Sequence, residues 1–375
     1  MPPARNFGEL RESLGNMDFV LGRAKAFRDA LRRADPAYLQ NMRSAQATRF
    51  LVTDENKIAL LAAPAAQNSG AVVSNGVEIG SGAEVNATGA APRQLLLLSQ
   101  SQVPPEIAAQ ANYLGIYSQT PYFGIELGRL VAVENNAAAT LPASSPTLAA
   151  PASPAAPPLA ANIPPLVLPP HSEFLPLYTV GPELSDLEVG LATAQIALGN
   201  WQLSQKYCSI CAAPTSFQNG GWEAHCTRGH IIFPRTDPAV IVGVLDAQDR
   251  LLLGRKAGWD KRRFSALAGF IEAGETAEMA VVREVQEEAG IAVEDVQYLS
   301  TQPWPFPRSL MLVYTARTCD STPEIKVDGE EIVEAHFFTR QELQQKIADG
   351  EITLPSRSGA VHVILRAWYA GQEEA

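Results

Sequence analysis

The stretch GFIEAGETAEMAVVREVQEEAGI, Gly269 to Ile291, decides the fold of the second half of this 375-residue chain. It follows the pattern G-x5-E-x7-R-E-U-x-E-E-x-G-U, in which U is apolar. The filled positions are Gly269, Glu275, Arg283, Glu284, Val285, Glu287, Glu288, Gly290 and Ile291. Glu284, Glu287 and Glu288 stand at i, i+3 and i+4, so a helix would place all three carboxylates on one face.

A helix is predicted here because the residues from Thr276 to Ala289 are good helix formers and Gly290 stands where helices commonly end. Arg283 is expected to pair with Glu275 and so to fix the loop before the helix. The face opposite the carboxylates is expected to be apolar and to pack against the core, through Met279, Val282, Val285 and Ala289.

The three carboxylates predict a divalent-metal site. Hard oxygen ligands at this density suit Mg2+ or Mn2+, which keep some waters and complete their shell with substrate phosphate oxygens. The alternative is a solvated acidic helix face, the usual reading of a run of glutamates. It would require seven non-interchangeable positions to match by accident. The metal site is therefore favoured.

A second constellation of metal-ligand residues precedes the first. Cys208 and Cys211 form C-x2-C, and Cys226 and His230 form C-x3-H fifteen residues later. This spacing predicts a zinc ribbon in which tetrahedral zinc is structural, since four protein ligands leave no position for water. His225 is the alternative fourth ligand. A disulfide or a redox C-x2-C is less compatible with three cysteines and a reducing cytosol.

Composition indicates a cytosolic enzyme. The 46% hydrophobic content is enough for two or three cored units. The formal net charge of -11 gives no positive surface for nonspecific binding of nucleic acid, so we expect substrate phosphates to be bound through metal. The start, MPPARNFGELRES, has no apolar signal-peptide core, and no apolar run approaches membrane-spanning length. Cys319, outside the ribbon, is expected to be a buried or half-exposed thiol.

The chain is expected to contain three units. Residues 1–203 are predicted to form an N-terminal α+β domain with low-complexity insertions at about 62–92 and 135–170. The first insertion lies between two strand-like segments and indicates a long hairpin. Residues 204–233 would form the zinc ribbon, and 234–375 a mixed α/β domain with a mixed sheet between helices.

The segment TQPWPFPRS, residues 301–309, is the third informative feature. Proline donates no ladder hydrogen bond, so the segment cannot be an ordinary central strand. We expect a stiff wall that suits an aromatic, amide-bearing ligand and displays three polar groups, Gln302, Arg308 and Ser309. The alternative is a packing loop with Trp304 and Phe306 in the core.

Taken together, the zinc-ribbon spacing, the pattern of Gly269 to Ile291, which is the Nudix box, and QPWPFPxS resemble the NADH pyrophosphatase family of Nudix hydrolases. The resemblance extends over about Glu173 to Trp368, with Thr301 where the family usually has serine. It implies a Nudix fold preceded by the ribbon and an N-terminal Nudix-like domain, in a homodimer. It also implies hydrolysis of the pyrophosphate of NADH, and less well of NAD+, to nicotinamide mononucleotide and AMP. Bacterial members also remove NAD caps from RNA.

The resemblance assigns the catalytic metal to Glu284, Glu288, Glu331 and the main chain of Ala268. Glu287 is the remaining box carboxylate, and Glu330 competes with Glu331 for its role. Metal-assisted hydrolysis is the expected mechanism, with Glu287, Glu288 or Glu331 as the group that accepts a proton from water. The catalytic set also includes Arg283 and Glu275.

The resemblance also assigns substrate contacts. Phe233, supplied by the partner subunit, and Phe270 are the expected stacking surfaces, and Glu331 also faces the substrate. The remaining expected contacts are Gln302, Pro303, Trp304, Pro305, Phe306, Pro307, Arg308, Ser309 and Ala360. Three rival functions stay open: a Nudix hydrolase of another dinucleotide such as ADP-ribose, an RNA-processing enzyme that acts on the 5' end of NAD-capped transcripts at the same site, and a noncatalytic binding module.

Overall fold

The computed structural model describes residues 20–61, 93–130 and 164–370. The first low-complexity insertion, 62–92, and residues 135–163 of the second therefore lie outside the described residues. Within the described ranges, no helix combines the length and apolar character that a bilayer crossing needs.

The N-terminal part forms a seven-stranded mixed sheet. Its strand order is β3-β2-β1-β6-β5, with β4 on β1 and β7 on β2, and β1 and β6 are parallel. The strands are β1 (Arg49–Asp54), β2 (Lys57–Leu61), β3 (Gln94–Leu95), β4 (Leu97–Ser99), β5 (Asn112–Tyr117), β6 (Thr120–Glu126) and β7 (Ser172–Pro176). Strands β2 and β3 pair antiparallel on either side of the first insertion, which confirms the predicted hairpin.

The α-helices of this part with both ends among the described residues are α1 (Pro36–Ser44), α2 (Pro105–Gln110), α3 (Leu177–Val180) and α4 (Asp186–Ser204). Helix α4 begins with a capping box, in which Ser185 and Glu188 satisfy each other's backbone N–H groups. It is buried on most sides, which explains why its sequence is apolar without a clear stripe.

A small three-stranded antiparallel sheet follows. Its strands are β8 (Thr215–Gln218), β9 (Glu223–Cys226) and β10 (Ile231–Ile232). The turn between β8 and β9 contains Gly221 with φ 89°, and Gln202 of α4 donates to its carbonyl at 2.7 Å. The ribbon is thus attached to the N-terminal part through α4.

The last part is a six-stranded mixed sheet with strand order β14-β15-β11-β12-β16, and with β13 on β11. Its strands are β11 (Asp237–Leu245), β12 (Leu251–Lys256), β13 (Leu267–Phe270), β14 (Val293–Trp304), β15 (Ser309–Thr318) and β16 (Ile332–Phe338). One core cluster packs against α7 (Val361–Ala370) and α6 (Arg340–Ala348), and another against α5 (Ala277–Ala289). A mixed sheet between helices was predicted and is confirmed.

Two expectations about this part were wrong. Met279 and Val282 are 59% and 41% exposed, while Glu284 and Glu288 are buried. The buried stripe of α5 runs through Ala280, Glu284 and Glu288 at four-residue spacing, so the helix turns two of its carboxylates inward. Cys319 is exposed rather than buried or half-exposed, because it stands just beyond the end of β15.

The proline-rich segment, residues 301–309, lies in the last part of the chain and packs against the N-terminal part. Pro303 lies on β14, an edge strand, where a missing N–H is tolerated. Beyond it, Trp304 and Phe306 pack against the N-terminal hydrophobic cluster, and Tyr178 meets the Phe306 ring edge-on at 5.3 Å. Trp304 and Phe306 therefore lie against a hydrophobic core, as in the alternative that reads the segment as a packing loop.

Asn200 of α4 holds the same segment by hydrogen bonds. Its Nδ2 donates to the carbonyl of Pro305 at 2.7 Å and to that of Pro307 at 3.3 Å. Carbonyl oxygens only accept, so a donor is required at this position.

We expect Asn200→Asp to loosen the segment, because a carboxylate would face two carbonyl oxygens in place of the donating amide. Amide hydrogen exchange across residues 301–312 should become faster in this variant. Ser204→Ala is the matched control, since Ser204 bonds only to carbonyls of its own helix. Equal exchange in Asn200→Asp and the wild type would contradict the assigned contact.

Candidate active site

The box helix α5 is defined at both ends by its sequence. Thr276 caps its start by accepting the N–H of Met279 at 3.2 Å, and Gly290 ends it with φ 69°. A left-handed residue of this kind is the common C-terminal stop, for which glycine has no steric penalty. The predicted helix and its terminator are confirmed.

Arg283 is the hub of the box. Its guanidinium donates to both oxygens of Glu275 at 2.8 Å, to Glu284 at 2.8 Å and to Glu287 at 3.0 Å. It also donates to the carbonyl of Phe270 at 2.9 Å, so it joins the helix to the end of β13. The predicted pairing with Glu275 is confirmed. Arg283, followed by the N–H of Glu272, lowers the pKa of Glu275 to about 2.

Gly269 lets the main chain of β13 lie against the helix. A Cβ built at this position would come within 2.0 Å of the carboxyl carbon of Glu284. The pattern therefore needs glycine here for close approach rather than for an unusual backbone angle. As a result, Glu284 is fixed between Arg283 and the β13 main chain.

Glu288 is the carboxylate that the hub does not reach. It is 3% exposed, and its Oε2 has no hydrogen-bond partner among the described residues. Burial, followed by the negative charges of Glu284 and Glu331, raises the pKa of Glu288 to about 8, although Lys256 and the main chain of Ala268 oppose the rise. Buried carboxylate oxygens are normally satisfied, so this atom fits a site for a cation.

Glu331 reaches the same cluster from the loop before β16. Asp328 accepts the backbone N–H groups of Glu330, Glu331 and Ile332 at 2.9 to 3.0 Å, which fixes this loop. The side chain of Glu331 forms an ion pair with Lys256, and its charge contributes to raising the pKa of both Glu284 and Glu288. The structure thus brings Glu331, the predicted residue, to the box carboxylates.

Sequence reasoning missed Lys256 and Asp328. Lys256 ends β12 and reaches the site only because that strand pairs with β16, with Lys256 opposite Ile332. Nothing in the sequence distinguishes it from other surface lysines. For Asp328, the turn sequence VDGEE was a usable signal, because aspartate before glycine commonly accepts backbone N–H groups.

The polar groups of the proline-rich segment differ from the expectation. Gln302 is 1% exposed and donates its amide to the carbonyl of Ser358 at 2.6 Å, so it is not displayed to a ligand. Arg308 donates to Asp237 at 2.8 Å, and Asp237 also accepts from Arg235 at 2.5 Å. Ser309 begins β15 opposite Asp237. Only the Arg308 end of the segment presents charged groups.

Two aromatic rings remain available for stacking. Phe233 is 63% exposed and Phe270 is 59% exposed, and Phe270 has its carbonyl held by Arg283. Ala360, by contrast, is 5% exposed and belongs to the core cluster around α7. Its methyl group cannot face a ligand, so a contact there would use the main chain.

The predicted zinc ligands converge. One ligand atom each from Cys208, Cys211, Cys226 and His230 lies within 4.8 Å of the others. The Nδ1 atom of His230 is 3.3 to 3.6 Å from the three sulfurs, and the Cys211 and Cys226 sulfurs are 3.8 Å apart. Tetrahedral zinc with Zn–S bonds of about 2.3 Å places sulfurs about 3.8 Å apart, so this set fits the ion.

The alternatives for the cysteine and histidine cluster find no support. His225 binds Glu223 at 2.8 Å instead of joining the cluster. All four cysteines are free, and 3.8 Å between sulfurs is far longer than a disulfide. Backbone N–H groups of Ile210 and His230 point at the Cys208 and Cys226 sulfurs, as donors to thiolates do around zinc.

The raised pKa of Glu288 predicts a pH-dependent cost in stability. The unfolded carboxyl ionises near 4.5 and the folded one near 8, so the folded protein keeps a proton that the unfolded chain loses. The free energy of unfolding therefore falls as pH rises between these values. Without added Mg2+ or Mn2+, we expect Glu288→Gln to be more stable than the wild type by on the order of 1–3 kcal/mol above pH 8.

Below about pH 4 the two proteins should be equally stable, since both states of the wild type are then protonated. Denaturant unfolding at the two pH values measures the difference. Glu287→Gln is the control, because Glu287 is exposed and should show no gain. A Glu288→Gln difference that does not change with pH would contradict the burial argument.

Comparison with known proteins agrees with this geometry. The model of the NUDIX domain matches residues 235–354. The NAD-capped RNA hydrolase NudC of Mycobacterium bovis is 40% identical over 208 residues, which cover 53% of this chain and 66% of that protein. The NAD-capped RNA hydrolase NUDT12 of Pongo abelii is 35% identical over 199 residues, which cover 50% and 43%.

The chain thus spans slightly less than two thirds of the bacterial relative and less than half of the primate one. Among solved structures, a NUDIX hydrolase from Nitrosomonas europaea is 23% identical, with a TM-score of 0.35, and the match covers 45% of this chain and 93% of that chain. The complete box, the domain match and these relatives together lead to one conclusion: residues 235–354 form a NUDIX domain, in a chain that is similar to NAD-capped RNA hydrolases.

Proposed function

We propose that this chain is a metal-dependent hydrolase of the pyrophosphate bond of NADH and, less well, of NAD+. The products are nicotinamide mononucleotide, reduced when it comes from NADH, and AMP. The observation that carries the proposal is the unpartnered, buried Oε2 of Glu288 beside Glu284 and Glu331. The relatives named as NAD-capped RNA hydrolases support the substrate class.

Glu284, Glu288, Glu331 and the main chain of Ala268 would hold Mg2+ or Mn2+. The bound ion would offset pyrophosphate charge and lower the pKa of a water. Arg283 orients Glu284 by donating to it at 2.8 Å, and it opposes the rise that burial causes in the pKa of Glu284. Glu287, Glu288 and Glu331 remain the candidate proton acceptors, and of these Glu287 and Glu331 have exposed side chains.

Phe270 and Phe233 are assigned to the aromatic bases of the dinucleotide. Phe270 stands beside the box, where Arg283 fixes its main chain. A homodimer in which a second copy supplies Phe233 would explain why this ring is left exposed and without an aromatic partner among the described residues. Arg308, oriented by Asp237, is the polar group that the proline-rich segment offers to the substrate.

Removal of the buried carboxylate charge should abolish turnover. We expect Glu288→Gln to reduce kcat for NADH on the order of 10² to 10³-fold with Mg2+ or Mn2+, because a metal ligand loses its charge. Glu278→Gln, on the exposed start of the same helix, should keep the wild-type rate. Product separation identifies the broken bond for NADH, NAD+ and ADP-ribose side by side.

Each rival has a distinct result in this assay. If ADP-ribose is the best substrate, the assignment of the proline-rich segment to a nicotinamide substrate is wrong. If the wild type hydrolyses no dinucleotide, the proposed hydrolase function is wrong and a noncatalytic binding module is favoured. If Glu288→Gln turns over at the wild-type rate with saturating metal, the metal-ligand assignment is wrong.

The cysteine and histidine cluster is assigned a structural Zn2+ ion, which closes a ribbon too small for a core of its own. We expect His230→Ala to lose one equivalent of zinc and to lower the melting temperature of the protein, since one of four ligands is gone. His225→Ala is the matched control, because His225 binds Glu223 outside the cluster. The zinc content of the purified variants measures this loss. If His230→Ala retained zinc and His225→Ala lost it, His225 rather than His230 would be the fourth ligand.

A further inference from the structure

A compact basic segment stands out on this acidic chain. RAKAFRDALRR, residues 23–33, has five basic residues and one acidic residue, a formal charge of +4, whereas the whole chain has -11. The overall charge gives no footprint for nucleic acid, but local charge is what a phosphate chain meets at short range, because salt screens charges beyond about 10 Å. The segment therefore has to be considered by itself.

Three arginines of this segment, Arg28, Arg32 and Arg33, form what we call the arginine cluster. In residues 20–61, 93–130 and 164–370, no carboxylate forms an ion pair with any of them. The nearby acids are engaged elsewhere: Asp186 pairs with two other basic residues of the segment, and Asp29 accepts the hydroxyls of two tyrosines at 2.6 and 3.2 Å. The cluster thus has no direct ion pair among the described residues, although the charge of Asp29 acts on Arg33.

The cluster is also preordered. Arg33 lies over the Trp222 ring at 3.9 Å, Arg28 lies over the same ring at 5.2 Å, and Arg32 lies over Tyr38 at 5.0 Å. Stacking on a ring face does not use the N–H donors at the edge of a guanidinium plane. Arg33 uses its Nε and one Nη for the carbonyl of Arg28, at 3.2 and 3.0 Å, and its other Nη group has no hydrogen-bond partner among the described residues. Two exposed apolar side chains flank the cluster, Phe27 and Leu31. Cations beside an exposed ring are the chemistry that binds single-stranded RNA.

Helix α4 connects the cluster to the active-site domain. Gln202 holds the ribbon turn that precedes Trp222 by donating to Gly221, and Asn200 holds Pro305. Two residues apart on a helix lie on nearly opposite sides, and a helix is about 10–12 Å wide. The arginine cluster and the proline-rich segment are thus attached, through the ribbon turn and through Asn200, to opposite sides of one helix.

We propose that the arginine cluster binds the phosphates of an RNA chain downstream of its NAD cap. This rests on the proposed function, since it assigns the RNA body of a capped substrate to a surface outside the catalytic domain. Free NADH carries no RNA chain, so it has no downstream phosphates to place on this surface. The cluster should therefore affect capped RNA and leave the free dinucleotide unaffected.

The test compares Arg28→Gln/Arg32→Gln/Arg33→Gln with the corresponding triple lysine variant, which keeps the charge. For an NAD-capped RNA of about 20 nucleotides, kcat/KM should fall about tenfold or more in the glutamine variant and largely persist in the lysine variant. For NADH, both should match the wild type, which also shows that they fold. Lys326→Gln/Lys346→Gln, which removes two basic groups already paired with glutamates, should change neither rate.

Binding of the uncapped RNA, measured by fluorescence anisotropy against salt, tests the surface independently of catalysis. Loss of three phosphate contacts should reduce the slope of log affinity against log salt by about 2. An unchanged slope and an unchanged kcat/KM for capped RNA in the glutamine variant would overturn the proposal and favour a protein as the partner of this surface. Failure of the wild type to hydrolyse NADH would instead overturn the proposed function. Should the triple variant not fold, Arg32→Gln alone must still reduce the slope, since Arg32 stacks only on Tyr38.

Discussion

The site depends on the hydrogen bonds and ion pairs that the guanidinium of Arg283 forms. Three box carboxylates and a backbone carbonyl converge on it, with distances of 2.8 to 3.0 Å. Without this cation, Glu275, Glu284 and Glu287 would repel each other across one turn of helix and one loop. With it, the loop from Phe270 to Thr276 is fixed to the helix, and the middle of the helix is fixed to the end of β13.

The same hub explains why Glu288 differs from its neighbours. Arg283 has five N–H donors, and the observed bonds direct them to Glu275, Glu284, Glu287 and Phe270, which leaves none for Glu288. Glu288 is also the most buried of the four carboxylates. Ionisation of Glu288 is therefore unfavourable in the protein without metal. A bound divalent cation would offset this cost. In the proposed metal site, binding of a cation would therefore also stabilise the fold.

Much of this arrangement could be predicted from the sequence, because it depends on local spacing. The limits of α5, the pairing of Arg283 with Glu275 and the convergence of three cysteines with His230 all follow from residues close in the chain. The buried face of α5 could not be predicted in the same way. Counting apolar side chains places Met279 and Val282 inside, but the sheet packs on Ala280 and Val281, and Glu284 and Glu288 lie on the same buried side.

Contacts between distant segments escaped prediction for a related reason. Lys256 meets Glu331 through the pairing of β12 with β16, and Gln302 is buried because the loop at Ser358 needs its amide. Neither partner can be inferred from spacing, since the register of two strands depends on the whole sheet. The proline-rich segment shows the consequence. Its aromatic rings resemble a ligand surface in sequence, yet they pack on the N-terminal cluster, and only its charged end stays open.

The N-terminal part helps to hold the proline-rich segment in place. Prolines remove backbone donors from the stretch between Trp304 and Ser309, so the stretch cannot be held by an ordinary strand ladder. Asn200 and Tyr178, both from the N-terminal part, supply the hydrogen bonds and the ring contact instead. The position of Arg308 beside the candidate active site consequently depends on a helix that precedes the catalytic domain by more than thirty residues. A catalytic domain cut off before β11 would lack these contacts and would hold the segment only through its own sheet, the bond of Gln302 to Ser358 and the ion pair of Arg308 with Asp237.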